Sequence, residues 1–224
     1  MNLKKAGLLI FLILLVDQLS KFYIKTHYVL GDGVEVAGWF RIVFVENPGM
    51  AWGKKLSDFI SFVTEPQSKI ILTTFRLFAI AGIFYWLHSS IKKNAPKILI
   101  ISIALIFAGA FGNIIDSLFY NYIFDSGTIY NAELDRWVDY GGVSQANFEG
   151  YAGFMQGCVV DMLQFPMIDT TLPDWFPVWG GKRFTFFDPV FNIADMAIST
   201  AVGILLVFNK RAFAKPVQSE VVNE

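Results

Sequence analysis

Residues Ala6–Ile24 read AGLLIFLILLVDQLSKFYI, and this stretch decides what kind of protein the chain is. A helix crosses a hydrocarbon layer with about 20 mostly apolar residues. The stretch has that length, yet it carries Asp17 and Lys21. Each ionisable residue costs about 2.5–3.5 kcal/mol or more at the centre of a bilayer, so each marks a function by default. Lys4 and Lys5 give the basic start of a cleavable signal peptide. The apolar core, however, runs straight into Asp17-Gln18-Leu19-Ser20-Lys21 with no small-residue cleavage site. The segment reads as a retained helix.

Three more stretches are long enough to span: about Ile70–His88, Ile98–Leu118 and Pro189–Phe208. Composition agrees. Of 224 residues 54% are hydrophobic and 17% charged, against roughly 45–50% and about 25% in soluble domains. A net charge of −1 gives no polybasic surface for nucleic acid, and one cysteine, Cys158, allows no internal disulfide. Lysines orient the spans. Lys4 and Lys5, then Lys92, Lys93 and Lys97, then Lys210, Arg211 and Lys215 fall on one side, which the positive-inside rule makes cytoplasmic. Both termini are then inside, and the acid-rich Asn121–Phe187 region is outside. Residues 28–68 alternate apolar and polar, with Gly31, Gly33 and Gly38 as punctuation, and read as short strands. The expected architecture is a mainly α membrane protein. It has a four-transmembrane-helix bundle and a small extracytoplasmic β-sheet on the outer membrane surface. Residues 1–210 form one membrane-embedded domain, with an outer loop over 121–187 and a cytoplasmic tail over 211–224.

The polar residues inside the spans share a depth. Asp17 and Lys21 lie four apart, on one face of helix 1 and about 6 Å along its axis. Asn113 and Asp116 sit near the outer end of helix 3. Asn192 and Asp195 sit near the outer start of helix 4. Three helices thus place costly residues in one leaflet, as a polar pocket open to the outer face requires. Asp17 with Lys21 also suits a plain structural ion pair, and Asn113 and Asn192 suit hydrogen-bonding roles. Arg76 reads as a snorkelling or locally paired residue. Asp161, in the apolar run Gly157-Cys158-Val159-Val160-Asp161-Met162-Leu163, supplies a second costly carboxylate beside Asp195. Two carboxylates in a low-dielectric pocket can share a proton, one acting as base on a water and the other as acid.

Other hydrolytic chemistries fit poorly. His27 and His88 fall on opposite sides of the membrane, which leaves no HExxH and no zinc set. Gly-x-Ser-x-Gly is absent. Cys158 has no histidine near it in sequence, and a lone thiol in an apolar run is ordinarily inert packing.

Five ordered motifs resemble those of the bacterial lipoprotein signal peptidases, or signal peptidase II, a family of aspartyl intramembrane endopeptidases. Asp17-Gln18-Leu19-Ser20-Lys21 resembles its Asp-x-x-[Ser/Thr]-Lys box. Asn47-Pro48-Gly49-Met50-Ala51-Trp52-Gly53 resembles its Asn-x-Gly-x-[Ala/Ser]-aromatic box. Gly112-Asn113-Ile114-Ile115-Asp116-Ser117 is similar to Gly-Asn-x-x-Asp-Arg, and Val159-Val160-Asp161-Met162 to Val-Val-Asp-Phe. Phe191-Asn192-Ile193-Ala194-Asp195-Met196-Ala197-Ile198 matches Phe-Asn-x-Ala-Asp-x-x-Ile throughout.

The resemblance implies cleavage of diacylglyceryl-modified prolipoproteins just before the lipidated cysteine, in the bacterial inner membrane. It implies Asp161 and Asp195 as the catalytic pair. Asp17, Lys21, Asn47, Gly49, Asn113, Asp116 and Asn192 are implied as pocket, positioning or structural residues. It implies no cofactor, and as partners lipidated prolipoproteins and membrane lipid; the residues themselves give no metal set, and a monomer is expected. Two departures stand out. Ser117 occupies the place of the family's arginine, and the Asn121–Gly157 link is longer than usual. An ion-coupled carrier would also use intramembrane Asp, Lys and Asn. It should carry them on into the cytoplasmic leaflet and show an inverted repeat, and neither is present. A membrane assembly factor would explain an outer sheet but not Asp195.

Overall fold

The computed structural model describes residues 1–49, 63–186 and 189–214. Helix α1 spans Leu3–His27, α2 Glu65–Lys92 and α3 Lys97–Ile115. Past Ile115 the chain widens into a π-helical stretch, Asp116–Tyr120, and ends in a short turn, α4 (Asn121–Ile123). Leu3–His27, Glu65–Lys92 and Lys97–Ile123 are each long and apolar enough to cross a membrane. The fourth apolar helix, α5 (Ile193–Val207), has 15 residues. That is about 22 Å at 1.5 Å per residue, short of a layer roughly 30 Å thick. A short α6 (Asn209–Ala212) follows it.

Two helix starts differ from the apolar pattern, each for a local reason. α2 begins at Glu65, five residues before the apolar run. Gln67 Oε1 accepts the Thr64 N–H at 3.0 Å, half of a capping box. Pro66 then sits in the first turn, where its missing N–H costs nothing. α5 begins at Ile193 rather than Pro189, because Val190 and Phe191 are extended and paired in a sheet. Between α2 and α3 the chain reverses at Asn94, which takes φ 51°. Asparagine tolerates that left-handed helix end better than most residues do.

The chain divides into two compact units. The first comprises residues 1–18, 72–114 and 193 onward. Its core packs Leu87 of α2 against Leu99, Ile100, Ile103 and Ala104 of α3 and Ala212 of α6. Within it α3 and α5 approach closely. A Cβ on Gly109 would lie 2.2 Å from the Ala194 carbonyl oxygen, and one on Gly112 3.2 Å from the Ala194 Cβ. Small residues permit such contact where helices pack in lipid. Gly109→Ala should therefore cost about 1–3 kcal/mol, since the atom it strikes is backbone and cannot turn aside. Thermal unfolding in detergent would measure this. Gly7→Ala, with nothing within 4 Å of its added carbon, is the control and should lose no stability.

The second unit comprises residues 19–71 and 115–192. Strands β1 (Gly33–Ala37) and β2 (Phe40–Asn47) form a hairpin. β3 (Ile129–Asn131) and β4 (Arg136–Val138) make a second one inside the long link. β5 (Val159–Gln164) carries Asp161. β6 (Ile168–Thr171) and β7 (Arg183–Phe186) form a third hairpin, with Trp175, Phe176, Val178 and Trp179 exposed in its connection. β8 (Val190–Phe191) returns to the main sheet. That sheet is antiparallel in the order β1-β2-β5-β8. Its buried Phe44, Val160 and Met162 pack with Ile24 of α1 and with Tyr120 and Phe124. The expected strands over 28–68 are thus present as β1 and β2, while residues 50–62 lie outside the described ones. So does the tail beyond residue 214.

Candidate active site

In the second unit Asp161 sits in β5, a strand whose first four residues are buried. Asn192 Nδ2 donates to Asp161 Oδ1 at 2.7 Å and to the Val160 carbonyl at 3.2 Å. Asn47 Nδ2 faces Asp161 Oδ2 at 3.4 Å, while Asn47 Oδ1 accepts the Gly49 N–H at 2.8 Å. Gly49 has φ 102°, a backbone conformation that favours glycine. That turn fixes which end of the Asn47 amide points at the carboxylate. Met50–Gly53 of the same motif lie outside the described residues.

The strand itself is held by an ion pair. Lys21 Nζ lies 2.8 Å from Asp116 Oδ2, with both side chains fully buried. The same oxygen accepts the Val160 N–H at 3.2 Å. Asp116 opens the π-helical stretch, a wide turn frequent at functional sites. Gly157 rests against that turn. A Cβ there would come 2.2 Å from the Asp116 carbonyl oxygen, and its N–H donates to the Ser117 carbonyl at 3.1 Å. Ser117, which stands in the place of the family's arginine, is buried.

In the first unit Asp195 lies in the first turn of α5, and Asn113 Nδ2 donates to its Oδ1 at 2.8 Å. Asp17, fully buried on α1, accepts the Ala194 N–H at 2.9 Å. A side-chain oxygen on an N-terminal amide caps the helix, and a negative charge there matches its positive end. Gln18 fixes the cap by donating to Asp17 Oδ2 at 3.0 Å and to the Gly112 carbonyl at 3.2 Å. Each of the two candidate catalytic carboxylates thus receives an asparagine amide within its own unit.

Cys158 is buried beside the site strand. Lys69 Nζ lies 3.3 Å from its sulfur, and the Thr128 carbonyl is also at 3.3 Å. Burial pushes the thiol up to about 11, with Lys69 partly opposing. The nucleophile is the thiolate, so this side chain packs rather than attacks. Sequence reasoning missed Lys25, Glu46 and Lys69, all buried, and the close contacts of Gly109 and Gly157. One signal was available: Lys25 continues the four-residue spacing of Asp17 and Lys21.

The fold has counterparts. A solved structure described as a bacterial membrane enzyme superposes with a TM-score of 0.57 at 21% identity, over 98% of this chain and 95% of that one. A second, described in the same words, gives 0.53 at 22% identity, over 92% of each. Both speak for the fold alone, mainly helical with a small sheet. The family described as signal peptidase (SPase) II matches residues 9–210, and the chain belongs to it. The lipoprotein signal peptidase of Porphyromonas gingivalis is 42% identical over 205 residues, 91% of this chain and 82% of that protein. The one from Amoebophilus asiaticus is 30% identical over 217 residues, 95% of this chain and 80% of that protein. Family membership makes the chain a membrane-integral peptidase.

Proposed function

We propose that this chain removes signal peptides from diacylglyceryl-modified prolipoproteins, cutting just before the lipidated cysteine, with Asp161 and Asp195 jointly activating water. The observation that carries the reading is the treatment of these two carboxylates. Asn192 and Asn47 donate to one, Asn113 donates to the other, and Lys21–Asp116 and Asp17 hold the strand and helix that bear them. In the reaction the water oxygen bonds to the scissile carbonyl carbon as its proton passes to the ionised carboxylate. The second, protonated carboxyl gives its proton to the carbonyl oxygen. On collapse one hydroxyl of the intermediate returns a proton to the second carboxylate as the carbonyl re-forms, the C–N bond breaks, and the nitrogen leaves with the proton taken from water, which restores the pair. The products are a signal peptide ending in a carboxylate and a lipidated cysteine with a free amino group.

The lysine distribution supports a four-span chain with both termini cytoplasmic and the site facing outward. The setting is the bacterial inner membrane and the enzyme a monomer, residues 1–210 forming one peptidase domain. The test is cleavage by the purified protein, reconstituted in lipid with a diacylglyceryl-modified precursor and no other protein. Release of a signal peptide that ends immediately before the lipidated cysteine is expected. Intact precursor, or cleavage elsewhere, would refute the proposal.

A further inference from the structure

Lys25 and Glu46 form a buried ion pair that none of the sequence motifs contains. Lys25 Nζ also donates to the Ser126 carbonyl at 2.8 Å and lies 3.4 Å from the Tyr140 hydroxyl. It faces the rings of Phe124, Tyr140 and Tyr151 at 5.0, 5.1 and 5.2 Å. The other Glu46 oxygen accepts the Thr128 N–H at 2.6 Å. Ser126, Thr128, Tyr140 and Tyr151 all belong to the long Asn121–Gly157 link. We propose that the Lys25–Glu46 pair is a positioning device that locks β2 to this link and so places Asn47 against Asp161. This inference rests on the reading of Asp161 as a catalytic residue.

Strand geometry supplies the reason. Side chains alternate along β2, so Glu46 projects to the face opposite its neighbour Asn47. Val45, Glu46 and Asn47 pair with Asp161, Val160 and Val159. A slip of one residue would exchange the two faces and carry Asn47 away from the carboxylate. The far end of the strand does not prevent this, because the register breaks between Ile42 and Val45. A bulge there uncouples the two halves of the ladder, so the Asn47 end needs its own lock. Buried ion pairs add little to stability compared with well-packed apolar side chains, and their best-attested use is to fix register. The extra length of the link is then part of the site's support rather than surface decoration.

A double-mutant cycle on turnover tests this in lipid-reconstituted enzyme, normalised to folded protein. Glu46→Gln keeps an acceptor for Thr128 but removes the charge that holds Lys25. It should lower kcat about tenfold with KM little changed, since misplacing a positioned group costs turnover. In an Asn47→Ala background the same change should have no further effect, because the residue it acts through is gone. Independent, multiplying effects would overturn the proposal, as would an unchanged kcat. If Glu46→Gln fails to accumulate, Glu46→Asp carries the same cycle. Failure of both would make the pair a folding element only and would also overturn it. Asp161→Asn runs alongside. Activity in that variant sinks the reading of Asp161, whereas an inactive Asp161→Asn with a multiplicative cycle sinks only this inference.

Discussion

Asp161→Asn and Asp195→Asn should each lower single-turnover cleavage by at least about 10³-fold, near the upper end of what positioned acid–base groups contribute. Asparagine keeps the shape of each side chain but cannot take a proton from water or return one. The expected stability changes are unequal. Asp161 accepts from Asn192 on one oxygen and faces Asn47 on the other. Both amides are fixed elsewhere, by the Val160 carbonyl and the Gly49 N–H. The amide introduced by Asp161→Asn would therefore set an N–H₂ against one of them, costing about 1–3 kcal/mol. Asp195 accepts Asn113 on Oδ1, and the side-chain carbonyl that Asp195→Asn retains can keep that bond. Asp195→Asn should unfold close to the parent temperature while Asp161→Asn unfolds lower. Loss of turnover in a variant that melts like the parent separates chemistry from folding. Substantial cleavage by either variant at matched protein levels rules out the pair.

The second large effect concerns the substrate's lipid. Precursor lacking the diacylglyceryl group should be cleaved at least about 100-fold more slowly. Each methylene buried in hydrocarbon contributes about 0.8 kcal/mol, so only four already amount to about 3 kcal/mol, more than a hundredfold. Two acyl chains offer many more. The comparison is kcat/KM on lipidated and unlipidated forms of one precursor in the same vesicles. Equal rates would remove lipid from the recognition, whatever the fate of the aspartates.

Much of this was legible in the sequence because the bilayer makes polar residues conspicuous. Asp17, Lys21, Asn113, Asp116, Asn192 and Asp195 announce themselves by where they are expensive. Their pairings were less legible. Regular spacing places Asp17 and Lys21 on one face of a helix but says nothing of partners elsewhere in the chain. The structure gives them partners far along the chain: Asp17 caps at Ala194, Lys21 meets Asp116, Asn113 meets Asp195, and Asn192 meets Asp161. In each helical box one member belongs to the first unit and the other to the second: Asp17 and Lys21, Asn113 and Asp116, Asp195 and Asn192. The i, i+3 and i, i+4 rules describe neighbours on one helix, and those contacts are weak compared with burial against another element. Strand β5 was obscured for a different reason. Buried on both faces, Val159–Met162 shows no alternation, so a continuous apolar run concealed a strand. Lys25 and Glu46 escaped because each lies at the end of its element, Lys25 in the last turn of α1 and Glu46 near the end of β2, where charge is ordinary. Only the fold shows that both are buried.

The close approach of α3 and α5 limits how the enzyme can move. Packed helices usually slide past one another by small rearrangements of intervening side chains. At Gly109 there is little room for rearrangement: an added Cβ would meet the Ala194 carbonyl oxygen at 2.2 Å and the Ile198 Cγ1 at 2.6 Å. Shear along this seam would drive carbonyl oxygens into main-chain atoms, which close-packed interiors resist. The start of α5 is thus held close to α3, and Asn113 on α3 donates to Asp195 on α5 at 2.8 Å. Any movement in this unit must then be borne by segments other than this seam.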